Sequence, residues 1–247
     1  MAFSDFSEPL MDQLTHRLRQ LAQRWDLKHA TLIEALKLWC TWSGLTWLAF
    51  GVSLLFIEVG ERRELSVVDG LIGGALVGLA QWLALKSHIR NAHQWILVSA
   101  LSWGALALFQ LGAIGWMAPE TPILWIRAVM GLFYGAYVGA GLGAGQWWVI
   151  KKQVDQAWRW IPLMSGIWAI AITIGWTIGG ELRIVSHLFV SEVVGLGLAW
   201  GAIATLSGLA IVKMLYQSNR QISDETSDDR RTLAAAKSNL SGSKSPY

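Results

Sequence analysis

The sequence predicts an all-α protein, a polytopic transmembrane bundle of six helices built from repeated hairpins, and three observations predict it. Of 247 residues, 53% are apolar, only 15% are charged and 16 are Trp, which leaves too few polar residues to cover a water-soluble fold of this length. Six apolar stretches, at about 38–58, 66–86, 95–117, 128–150, 160–180 and 190–213, each approach the roughly 20 helical residues needed to cross a hydrocarbon core, and none has a charge near its centre. They are too long for strands, and a helix satisfies its backbone within its own segment. Finally, residues 70–103 and 135–168 are two copies of one segment at a constant offset, sharing Gly70/Gly135, Gly74/Gly139, Gly78/Gly143, Gln81/Gln146, Trp82/Trp147, Lys86/Lys151, Trp95/Trp160 and Trp103/Trp168.

In chain order, residues 1–37 come first. Leu10, Leu14, Leu18, Leu21 and Trp25 recur at helical spacing among Arg17, Arg24 and Lys28, the pattern of an amphipathic helix lying on the cytoplasmic surface. The first span, behind this polar lead, is expected to act as a retained signal anchor rather than a cleaved signal peptide. The transmembrane domain is expected over 38–216, with repeats at about 66–117 and 126–180. Span two carries a glycine stripe, Gly70, Gly74 and Gly78, and span four carries Gly131, Gly135, Gly139 and Gly143; small residues one turn apart let helix backbones approach closely in lipid. An eroded third copy within 190–216 aligns Gly208 with Gly78 and Gly143. Spans two, four and six then become equivalent, span one closes the ring against span six, and the bundle is pseudo-threefold about the membrane normal. The tail, 217–247, is polar and Ser-rich and is expected to be disordered.

Orientation follows from the cations. With both termini in the cytoplasm, 16 of the 20 Lys and Arg fall inside, and Arg62, Arg63, Arg127 and Arg183 remain outside. The basic balance therefore speaks of membrane orientation and not of nucleic acid. At the inner boundary Trp39, Trp42, Trp82, Trp95, Trp147, Trp148, Trp158 and Trp160 read as an interfacial belt. Lys86 follows Trp82, and Lys151 follows Trp147, by one helical turn. Trp82, Lys86, Trp95, Trp147, Lys151 and Trp160 thus form the expected surface for anionic lipid headgroups or a protein partner. Trp103, Trp168 and Trp200 lie deeper and are expected to fill helix interfaces.

Gln81 and Gln146 extend the glycine stripes, and two readings stay open for them. They clasp neighbouring helices, or they form a polar ligand site, with Tyr134 and Tyr137 completing a central cavity. Asp69, Arg127 and Glu192 stand at outer helix ends, solvated or ion-paired, with a small outer charge cluster as the second reading. His16, His29, His88 and His93 lack ligand spacing and His187 is on the other side, so no metal, haem or other cofactor is expected. Cys40 is alone and forms no intrachain disulfide. Without a catalytic constellation, the expected function is a non-catalytic integral membrane scaffold or assembly subunit that binds a membrane protein or itself. The alternative is a transporter or substrate-binding component for a small neutral or apolar solute.

The motif GxxxGxxxGxxQW, followed by xxxK and a loop ending in Trp, resembles uncharacterised bacterial multi-pass membrane proteins, cyanobacterial ones included, over about residues 66–180. The resemblance implies a bacterial inner membrane, with the thylakoid a candidate for a cyanobacterial source. It implies no activity.

Overall fold

The computed structural model describes residues 32–60 and 65–242, with side chains described to Tyr216. The amphipathic pattern of residues 8–30 lies outside the described residues. The chain divides into two units, Met1–Leu38 and Trp39–Tyr247. Of the first, residues 32–38 are helical.

The second unit is all-helical among its described residues. It contains α1 (residues 39–53), α2 (Val67–Leu85), α3 (Gln94–Leu108), α4 (Leu124–Ile150), α5 (Trp160–Ser186) and α6 (Val190–Gly242). The segments Val67–Leu85, Leu124–Ile150, Ala157–Ser186 and Val190–Tyr216 are long and apolar enough to cross a membrane, whereas Gln94–Leu108 is shorter. Large apolar side chains also face outward, among them Leu55, Phe109, Trp125 and Phe133. An apolar exterior on apolar helices of this length marks an integral membrane protein in contact with lipid.

Local chemistry sets the helix ends. Ser66 caps α2 by accepting from the Asp69 amide at 3.1 Å and donating to its carboxylate at 2.6 Å, and that carboxylate also suits the positive end of the helix dipole. Asn91 and Gln156, one repeat apart, both adopt the left-handed conformation, with φ of 55° and 51°, in the turns before α3 and α5. The stop of α3 corrects the expected continuous span over 95–117. Gln110 is left-handed (φ 58°), its amide donates to Ala107 O at 2.9 Å, and Leu111 N donates to Leu106 O at 2.8 Å, a Schellman termination. The chain then folds inward through a 3-10 turn, Gly112–Gly115, and stays buried to Pro119. At the other end of the bundle sequence, α6 runs on as helix to Gly242 across residues expected to be disordered. Ala234–Ala236 have the helix propensity that suits that continuation.

Helices pair along small residues. A Cβ at Gly70, Gly74 or Gly78 would lie 2.7–2.9 Å from Trp103 O, Ser99 O or Ile96 Cα of α3. On α4, a Cβ at Gly131 or Gly135 would meet α5 backbone at 2.8 or 2.5 Å, one at Gly139 would collide with Met164 O, and one at Gly143 would lie 3.0 Å from Ile161 Cα. On α6, a Cβ at Gly208 would lie 2.9 Å from Ser43 Oγ and Trp42 Cδ1. The α5–α6 pair is as close, because a Cβ at Gly195 would strike the Gly175 carbonyl.

Candidate functional site

The interior is built from tryptophan. On α1, α3 and α5, residues at i, i+4 and i+8 share a helix face: Trp42, Thr46 and Phe50; Trp95, Ser99 and Trp103; Trp160, Met164 and Trp168. These nine are buried. Trp95 meets Trp42 and Trp160 with ring centroids 5.8 and 6.3 Å apart. Two turns along, Trp200 of α6 packs on Phe50, Trp103 and Trp168 at 5.1, 6.2 and 5.3 Å, and Trp116 adds contacts to Trp103 and Trp200 at 4.6 and 5.6 Å. Mutual edge-to-face and offset packing of this kind suits the aromatic quadrupole.

Each ring of the first layer has a polar partner on a glycine-bearing helix. Trp95 Nε1 donates to Gln81 Oε1 at 2.8 Å, Trp160 Nε1 to Gln146 Oε1 at 2.9 Å, and Trp42 Nε1 to Ser207 Oγ at 2.9 Å. Gln146 Nε2 reaches Gln81 Oε1 at 3.4 Å, which joins the two hairpins. The expected belt is corrected here: Trp42, Trp95 and Trp160 are each 0% exposed, so Trp95 and Trp160 belong to no lipid or partner surface. Their N–H groups are satisfied inside by amides, so the rings need no wet interface. The cavity expected from Gln81, Gln146, Tyr134 and Tyr137 does not form, since Tyr137 is 65% exposed and the glutamines bond tryptophan. Tyr134 is half-buried.

At the opposite end the buried Gly112–Ala118 segment lies under α1, α5 and α6. Trp200 Nε1 donates to Gly115 O at 2.8 Å, Trp176 Nε1 to Met117 O at 2.9 Å, and Trp116 Nε1 to Ser53 Oγ at 2.7 Å. The Trp200 and Trp176 N–H groups thus satisfy carbonyls of an irregular segment that no α-helix ladder serves. Arg127 completes this. Its guanidinium holds Glu192 in two bonds of 2.8 Å and donates to Pro119 O, Thr121 O and Trp176 O. The pair is fully buried, while the half-exposed Arg183 lies 3.5 Å from the same carboxylate. Of the two states the sequence allows for these helix-end charges, solvated or ion-paired, Arg127 and Glu192 adopt the second, with each other; their opposite sign and isolation from other charges within apolar flanks are the signal for it.

The two basic loops are tied together at Gln153, which accepts from Arg90 N at 2.7 Å and donates to Arg90 O at 3.1 Å. Lys86 Nζ lies 5.7 Å from the Trp82 ring centroid, and Lys151 Nζ lies 5.0 Å from Trp147 and 3.1 Å from Trp148. Among the described residues no group of three or more potential metal ligands comes together.

No family model, curated protein or solved structure matches the chain.

Proposed function

We propose that the chain is a non-catalytic integral membrane scaffold or assembly subunit of a larger membrane complex, crossing the membrane six times with both termini in the cytoplasm of a bacterial cell. The observation that carries this reading is the aromatic filling of the axis, where Trp42, Trp95, Trp160, Phe50, Trp103, Trp168 and Trp200 pack ring against ring. A solute path needs space there. A pseudo-threefold plan is supported by three similar helix pairs: α2–α3, α4–α5 and α6–α1 each have a tryptophan donating to a polar residue on the facing helix. Gly78, Gly143 and Gly208 each abut the residue following that tryptophan, Ile96, Ile161 or Ser43. In this plan α3 is a short span, completed toward the outer face by the buried segment after it.

Partners are a membrane protein or a second copy, together with anionic headgroups at the basic end. A shallow groove of about 630 Å³ between α1 and α6, lined by Ser43, Gly44, Gly197, Gly201 and Ala202, supports helix association. The second reading, a transporter or solute-binding component, is favoured by a cavity of about 940 Å³ at the other end, with Glu58, Asp69, Glu120 and Trp116 in its wall. Native mass spectrometry of the protein taken from its own membrane separates the two. A second polypeptide, or a second copy, in fixed stoichiometry is the expected result; a lone chain retaining one defined small molecule favours the second reading.

A further inference from the structure

The two basic loops descend from one repeated pattern but are not equivalent. In the second, a concavity of about 440 Å³ opens between the end of α4 and the turn into α5, lined by Trp147, Lys151, Lys152, Asp155, Gln156 and Trp158. Lys151 Nζ sits 3.1 Å from the Trp148 ring centroid and 5.0 Å from that of Trp147, so indole faces flank the ammonium. Trp148 and Trp158 are 63% and 59% exposed, and the Arg159 guanidinium lies 6.0 Å from the Trp158 ring. Large exposed indoles beside cations at the ends of two membrane-length helices are the chemistry of a headgroup interface.

The first loop has lost or never gained these parts. One repeat earlier, Trp148, Lys152, Trp158 and Arg159 correspond to Leu83, Ser87, His93 and Gln94, and the remaining ammonium, Lys86, is 5.7 Å from its single indole.

We propose that the second loop, and not the first, holds the phosphate headgroup of one anionic glycerophospholipid. The phosphate takes Lys151 and Lys152, the acyl chains run down the outer face past Trp148, and Asp155 on the lining accepts from a headgroup hydroxyl. Three cations against one carboxylate favour a net anionic lipid over a zwitterionic one. The carboxylate disfavours bare phosphate, which offers little to donate. Phosphatidylglycerol has the matching chemistry. This inference rests on the reading of α4 and α5 as membrane-crossing helices.

The test is lipid retention by native mass spectrometry from nanodiscs of phosphatidylcholine doped with phosphatidylglycerol, with nanodisc incorporation measured on the same samples. Wild type and Lys86→Gln should each keep one phosphatidylglycerol. Lys151→Gln with Lys152→Gln should lose occupancy by roughly thirty-fold, and Lys151→Arg with Lys152→Arg should restore it. Retention by the glutamine double variant, or equal loss in Lys86→Gln, would overturn the site. Competition by millimolar inorganic phosphate that removes the lipid would overturn the headgroup in favour of free phosphate. Failure of the wild type to incorporate would overturn the membrane-crossing reading and the site with it, whereas incorporation without retention would overturn the site alone.

Discussion

Arg127 has five N–H groups, and Thr121, Trp176, Pro119 and the two oxygens of Glu192 accept from all of them. A buried ion pair so completely satisfied joins α4, α5 and α6 to the irregular 117–121 stretch, and removing one partner leaves an uncompensated charge. Arg127→Ala should therefore destabilise the bundle by about 3–5 kcal/mol, while Arg127→Met with Glu192→Leu should cost less than either single change. Denaturation in mixed micelles would measure both. The glutamine bonds are smaller in effect. Gln81→Leu strands the Trp95 N–H, and Gln81→Leu with Trp95→Phe removes donor and acceptor together, so a double-mutant cycle should return a coupling of about 0.6 kcal/mol, the membrane average. A cycle that returned no coupling would reduce the bond to a by-product of packing.

At the scale of helices, the glycines separate into those that a side chain would crush and those that it would not. Gly74→Leu and Gly139→Leu should force α2 from α3 and α4 from α5, because the added carbons meet Ser99 O and Trp103 in one case and Met164 O in the other. Loss of yield and of thermal stability in detergent is the expected outcome. Gly166, in the second turn of α5, has nothing within 4 Å of the added carbon. Gly166→Ala should thus be neutral or raise stability by up to about 0.8–1 kcal/mol through helix propensity. Equal behaviour of Gly139→Ala and Gly166→Ala would show that the close approaches do not limit the fold. Both stripes were legible in the sequence at four-residue spacing, but their partners were not, since a stripe names a face and not what lies across it.

For the whole molecule, the first helix of the bundle meets the last. Ser43 donates to Ala204 O at 3.2 Å, Trp39 to Thr205 O at 3.0 Å and Trp47 to Gly197 O at 2.9 Å. Disulfide cross-linking of Ser43→Cys with Ala204→Cys, in a Cys40→Ser background, should therefore proceed in the native membrane. Absence of the cross-link, with an Ala136–Ser165 cysteine pair across α4 and α5 formed normally as control, would separate α1 from α6. On the proposed threefold plan, Trp200 accounts for the loss of the glycine stripe in α6. It stands where α2 and α4 have Gly70 and Gly135, and its indole occupies the space between Phe50, Trp103 and Trp168. Three glycines there would leave the axis unfilled, and an unfilled apolar axis forfeits the contacts that hold helices together in lipid.

The sequence by itself determined the helical class and the four apolar segments long enough to cross a membrane, and it displays the constant offset and the four-residue glycine period, because each is a one-dimensional signal: length, composition, offset and period. Tertiary structure alone decided which tryptophans face inward. Trp95 and Trp160 share an end-of-span position with Trp148 and Trp158, yet the first two are sealed by glutamine bonds and the others are exposed. It also decided that the chain after Leu108 turns into the bundle instead of finishing a span, where indole N–H groups and Arg127 supply the hydrogen bonds that a helix would have made for itself. Burial and hydrogen-bond satisfaction depend on what arrives from residues far along the chain, and no local pattern records that.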